Sequence, residues 1–106
     1  LGSIVYNKLI RDKIPQIIEN AGKIPVVETL DSETYKRFLD AKLEEELQEY
    51  LSSDKAEELA DLVEVVYAIL KYKGIDLETF EDIRLKKATE RGGFEKRLLL
   101  KEVLDK

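Results

Sequence analysis

The chain has neither cysteine nor histidine, and these two absences exclude most of the familiar catalytic and metal chemistries. Without cysteine there is no disulfide framework, no thiolate nucleophile and no soft-metal ligand. Without histidine the Ser-His-Asp and Cys-His mechanisms, the usual zinc sites and the His-containing di-iron sites of helical bundles all fall away. No apolar run approaches the ~20 residues that cross a bilayer, and no signal-peptide pattern opens the sequence. The expectation is therefore a cytoplasmic protein with no membrane partner. A formal net charge of -5 and a sequence pI near 4.9 withhold the broad basic field that displaces phosphate counterions, so nucleic acid is not an expected partner. Any chemistry must run on carboxylates, cations and an oxygen-ligated metal.

What is present favours helices. Charged residues make up 39% of the 106 positions, the helix formers Leu, Glu and Lys are the commonest residues, and there are only 5 glycines and 2 prolines. Leu1-Gly2-Ser3, in a chain without methionine, resembles a cleaved-tag scar. Residues 4–106 carry no linker, repeat or low-complexity segment and are expected to form one domain.

The first helix is expected to start with Asp12 as N-cap, to hold Pro15 in its first turn and to stop at Gly22. Asp31 or Ser32 caps a second helix running to about Leu51. Ser52-Ser53-Asp54 then turns the chain into a third, with Asp54 and Glu57 at capping-box spacing and an end near Gly74. A fourth begins after Asp76 and ends before Gly92-Gly93. The connection between the second and third is short enough to make them antiparallel neighbours. The expected fold is thus mainly α, an antiparallel helical bundle around a core helix hairpin. Residues 26–30 and 94–100 could add a small two-stranded β element, although Leu98-Leu99-Leu100 suits a helix equally well.

Within that hairpin some acids fall where acids should not. At ~100° per residue, Tyr35, Phe38, Leu39, Leu43, Leu47 and Tyr50 form one apolar arc on the second helix, with Glu46 inside it and Glu49 at its edge. On the third helix, Glu58 projects between Val65 and Ile69, and Asp61 sits beside it. Residues three apart share a face, and positions equidistant from the turn lie opposite each other, so Glu49 faces Glu58 and Glu46 faces Asp61. At an interaxial distance of ~8–10 Å, four carboxylates converge. Solvated surface acids are the ordinary explanation for a Glu-rich helix, and it suits Glu44, Glu45 and Glu57. It suits Glu46 and Glu58 poorly, because burying an unpaired ion costs on the order of several kcal/mol. Four like charges in one place need a cation, and an all-oxygen donor set points to a hard one, Mg²⁺ with Mn²⁺ as a substitute.

Two basic clusters could meet an anionic ligand. Arg84, Lys87 and Arg91 share the face of the fourth helix marked by Leu77, Phe80 and Ile83, and Lys8, Arg11 and Lys13 precede the first helix. Snorkelling of long basic side chains is the plainer account, above all for Arg84 alone.

Residues 45–61 read Glu-Glu-Leu-Gln-Glu, eight residues, then Glu-Leu-Ala-Asp, an E-E-x-x-E…E-x-x-D pattern. It resembles that of the all-α nucleoside triphosphate pyrophosphohydrolase superfamily, which includes MazG-like enzymes, dimeric dUTPases and phosphoribosyl-ATP pyrophosphohydrolase. The flanks Tyr6-Asn7-Lys8-Leu9-Ile10-Arg11-Asp12-Lys13-Ile14-Pro15 and Arg91-Gly92-Gly93-Phe94-Glu95-Lys96-Arg97 are similar to those of its phosphoribosyl-ATP pyrophosphohydrolase-like branch. The resemblance implies that Glu46, Glu49, Glu58 and Asp61 hold Mg²⁺ and that Glu45 lies behind the ligands or orients water, making Glu45 and Glu46 the catalytic candidates. It implies hydrolysis of a nucleotide to monophosphate and pyrophosphate, with removal of noncanonical nucleotides as the role, by a homodimer or homotetramer. The connection between the two acidic pairs is shorter than in many relatives, which leaves little loop to shape a base pocket. The alternative is a non-catalytic helical interaction module, for which the broadly apolar third helix would serve as a dimer interface.

Overall fold

The computed structural model describes residues 2–106, which form four helices and no strand. They are α1 (Ile14–Asn20), α2 (Ser32–Ser53), α3 (Ala56–Tyr72) and α4 (Leu77–Arg91). The chain divides into two compact units, one ending at Gly74 and the other covering Ile75–Lys106. No helix among the described residues is long and apolar enough to cross a membrane.

In the first unit, α2 and α3 pack on each other as the expected antiparallel hairpin. Asp31 caps α2, its side chain accepting a hydrogen bond from Thr34 N at 2.8 Å, which satisfies one of the amide donors that a helix start leaves open. The turn differs from expectation. Asp54 closes α2 instead of opening α3, in a left-handed conformation (φ 58°, ψ 31°) that short polar side chains tolerate, with its N–H donating to Tyr50 O. Lys55 takes the N-cap position of α3 without any side-chain cap. At the far end of the hairpin the Tyr35 and Tyr72 rings meet edge-on, with centroids 6.0 Å apart.

The core between α2 and α3 is small. Leu39, Val65 and Leu70 are its buried apolar side chains, Leu39 being 1% exposed. Leu39 and Glu46 stand two helical turns apart on one face of α2, while Glu58, Asp61 and Val65 repeat at spacings of three and four along α3. The apolar seam of the hairpin therefore runs directly into its acids.

The remaining corrections concern segments that only tertiary partners could have organised. The first helix starts after Lys13, not Asp12, and keeps Pro15 in its first turn. Residues 26–30 form no strand, because β-branched residues favour extended backbone but a strand also needs a paired ladder. Residues 94–100 are neither strand nor helix. A turn closed by Arg97 N donating to Phe94 O follows Gly92-Gly93, and irregular chain follows the turn. In the second unit, Asp76 caps α4 by accepting from Thr79 N at 2.8 Å. The expected buried face of α4 does not form there: Phe80 is half-buried, and Leu77 and Ile83 are exposed.

Because Leu39 fills the centre of so small a core, Leu39→Ala should destabilise the chain by ~2–5 kcal/mol. Leu51→Ala, at an exposed position near the turn, should cost less than ~1 kcal/mol. Denaturant titration of both variants measures the contrast, and equal losses would place the core elsewhere.

Candidate metal centre

The hairpin brings Glu46 from α2 together with Glu58 and Asp61 from α3. Each offers a carboxylate oxygen, and the three oxygens lie within 4.8 Å of one another. Glu46 is the buried member at 6% exposure, and its Oε2 has no hydrogen-bond partner. A buried, unpaired carboxylate oxygen is costly, and here it faces two more carboxylates. Glu49 stands outside the cluster and is exposed. Three residues at ~100° carry it ~60° round the helix from Glu46, toward the solvent edge. Its charge still reaches Glu46.

Cations close around the acids from two directions. Lys42, one turn before Glu46 on α2, places Nζ 3.3 Å from Glu46 Oε1 and 3.4 Å from both oxygens of Glu45. The segment preceding α1 supplies the others. Lys8 Nζ donates to Glu45 Oε1 at 3.1 Å, and Arg11 Nη2 donates to Asp61 Oδ1 at 2.7 Å. Lys8 and Arg11 were expected to face an anionic ligand; in this structure they are held by carboxylates. Lys13 ends that segment at the start of α1 and is exposed. Arg84, Lys87 and Arg91 are exposed on α4 in the second unit, where Arg84 pairs with Glu81. Lys42 escaped the sequence reading, although a lysine four residues before a candidate ligand on the same helix face was the available signal.

These contacts set the charge states. Burial lifts the Glu46 carboxyl above the ordinary glutamate range; Glu49 and Asp61 push it the same way, and Lys42 opposes them. Burial also acts upward on Glu45, but the hydrogen bond from Lys8 and the charges of Lys42 and Lys8 outweigh it, and the net shift is downward. Lys8 is raised in turn, chiefly by the hydrogen bond it donates to Glu45. Four carboxylates (Glu45, Glu46, Glu58 and Asp61), with Glu49 at the solvent edge, stand against three cations (Lys8, Arg11 and Lys42), so negative charge is in excess around the cluster. The candidate donors are all hard oxygens, and Glu46 keeps one oxygen unpartnered, so Glu46, Glu58 and Asp61 could hold a metal ion, and a hard one suits them.

No family model matches the chain, and no solved structure matches it. A protein of Mycolicibacterium smegmatis (strain ATCC 700084 / mc(2)155), described as uncharacterized, is 45% identical over 47 residues, which is 44% of this chain and 48% of that relative. The match therefore spans about half the length of the relative.

Unfolded, Glu46 gives up its proton at the ordinary glutamate pKa; folded, it keeps the proton to higher pH. Stability from this group thus declines as pH rises from the ordinary value through the raised one, and the penalty is complete above that window. In the presence of a chelator, Glu46→Gln should melt at a higher temperature than the wild type near neutral pH. The difference should close as pH falls below the ordinary glutamate pKa. Melting curves across that range decide it, and no gain at neutral pH would mean that Lys42 already compensates the charge.

Proposed function

We propose that the chain is a Mg²⁺-dependent nucleotide pyrophosphohydrolase, cleaving a nucleoside triphosphate or related nucleotide to the monophosphate and pyrophosphate, with removal of noncanonical nucleotides as its role. The observation that carries this reading is Glu46, buried with one oxygen unpartnered beside Glu58 and Asp61. A scaffold gains nothing from a buried carboxylate set beside two half-buried ones, whereas a site for a divalent ion gathers such acids. The acidic pattern and both flanks, which resemble the pyrophosphohydrolase superfamily, supply the reaction class.

Mg²⁺ in such a site supplies Lewis acidity toward phosphate oxygens and water. Glu46, Glu58 and Asp61 would hold it, with Glu49 at the solvent edge able to join when a ligand arrives. Glu45, kept ionised by Lys8 and Lys42, would orient water or anchor those lysines beside the ligands. Lys8 and Arg11, the cations beside the acids, would bind phosphate oxygens, Arg as a planar fork and Lys as a point charge, and so offset charge on the pyrophosphate leaving group.

A second reading, a non-catalytic helical interaction module, draws on the exposed apolar side chains. Leu59, Val63 and Tyr67 lie exposed along α3 in the first unit; Phe94 at 96% exposure, Leu98, Leu99, Leu100, Val103 and Leu104 lie exposed in the second. Under either reading we propose that a second copy of the chain covers apolar surface of this kind, as a dimer or tetramer.

The deciding assay is a panel of canonical and modified nucleotides with Mg²⁺ or Mn²⁺, scored for pyrophosphate release. Turnover is expected for at least one nucleotide, and Asp61→Asn should abolish it while leaving the helical circular dichroism unchanged. In the wild type, metal alone should raise the melting temperature by linkage. No metal effect and no turnover across the panel would favour the interaction module.

Light scattering at micromolar concentration should report a dimer or larger. A monomer would remove the second copy from both readings.

A further inference from the structure

The segment before α1 is fastened at two points, both on the acidic cluster. At Asn7 the backbone enters the left-handed region (φ 47°) and the chain bends at Lys8. This bend accompanies the contact of Lys8 Nζ with Glu45, at 3.1 Å, while the same amine lies 5.7 Å above the Tyr6 ring. Three residues later, Arg11 O accepts a hydrogen bond from Ile14 N at 3.1 Å, which ties the Arg11 backbone to the first turn of α1. Its guanidinium reaches Asp61 at 2.7 Å, with 58% of the Arg11 side chain and 39% of the Asp61 side chain still exposed. Lys42 differs, since only 16% of its side chain is exposed and it belongs to α2 itself. Of the three cations on the cluster, two are therefore carried by a segment outside the hairpin and held by solvent-exposed pairs. Such pairs are weak and readily exchanged.

We propose that the Arg11–Asp61 pair is an exchangeable latch: a divalent ion entering the cluster of Glu46, Glu58 and Asp61 displaces the guanidinium and releases residues 4–12 from the site. This rests on the metal reading of the cluster given above. Competition for Asp61 supplies the drive. Asp61 is at once a candidate ligand and the partner of Arg11, so a guanidinium left against it would face a divalent cation a few ångströms away. Lys42, mostly buried and spanning Glu45 and Glu46, stays. Metal binding thereby frees two cations, Arg11 and Lys8, at the mouth of the site, where an anionic ligand would next arrive. In the metal-free protein the same two cations serve as counter-ions for acids that would otherwise repel one another.

The test uses the full chain and Mn²⁺ alone. By calorimetry, Arg11→Gln should bind Mn²⁺ about two- to fivefold more tightly than the wild type, the range that an exposed ion pair is worth. Arg11→Lys should fall near the wild type. Arg37→Gln, which removes an equal charge from the exposed side of α2, should not change the affinity. Limited trypsin digestion supplies the second readout, because Lys8 and Arg11 must leave their carboxylates to enter the protease. Mn²⁺ should speed cleavage after both residues in the wild type, and in Arg11→Gln cleavage after Lys8 should already be fast and insensitive to metal. If the wild type binds Mn²⁺ but Arg11→Gln gains no affinity, or if Mn²⁺ leaves cleavage after Arg11 unchanged or slower, the latch is wrong and the metal site stands. If the wild type binds no Mn²⁺, the metal reading and the latch fall together.

Discussion

A carboxylate oxygen with no partner, buried at the packing face of a two-helix hairpin, sets the terms for the rest of this structure. Glu46 lies on the same face of α2 as Leu39, the most buried side chain among the described residues. It cannot turn to solvent without turning Leu39 outward as well, since two helical turns bring the same face round again. Its desolvation is consequently fixed by the apolar packing. The charge around it has to be managed by neighbours, and the basic groups near the hairpin can be understood as that management: Lys42 along the same helix, Lys8 and Arg11 from the segment before α1.

How much of this was legible in the sequence depends on the range of the interaction concerned. Helical periodicity and antiparallel register are local properties. They were sufficient to place α2 against α3 and to bring Glu46, Glu58 and Asp61 to one point. Glu49 shows where that reasoning thins, because a residue at the edge of an arc can swing either way by a few tens of degrees, and here it points outward. Asp54 shows a different limit: an Asp at a helix junction can cap the following helix with its side chain or end the preceding one in a left-handed conformation. The pattern of letters is the same for both.

The strands expected at 26–30 and 94–100 failed for a reason that no local rule supplies. Val26 and Val27 favour extended backbone, yet a strand exists only as part of a ladder, and the partner is a fact about tertiary structure. The basic residues show a related limit. Lys8 and Arg11, cations near a helix start, suggest an anionic ligand. The structure puts them on carboxylates 37 and 50 residues away in sequence, the nearest strong negative charge being the protein's own. A cation held by these acids is still a cation beside the candidate metal centre.

The distribution of burial along the hairpin carries a further consequence. Toward the Tyr35 and Tyr72 end the seam is apolar, and toward the turn it is acidic. A hairpin optimised for stability alone would continue the apolar seam to the turn, where Glu46 and Glu58 instead bring repulsion and desolvation. With only Leu39, Val65 and Leu70 buried as apolar residues among the described ones, the metal-free hairpin has little stability to spare for such a feature. Any ligand that neutralises the cluster must then stabilise the folded chain as well as occupy the site, because the unfolded chain does not hold these acids together. Ligand binding and folding of the hairpin thus act on the same few carboxylates. The weakest elements around them, the exposed ion pairs of Lys8 and Arg11, are the ones that can exchange without unpacking Leu39.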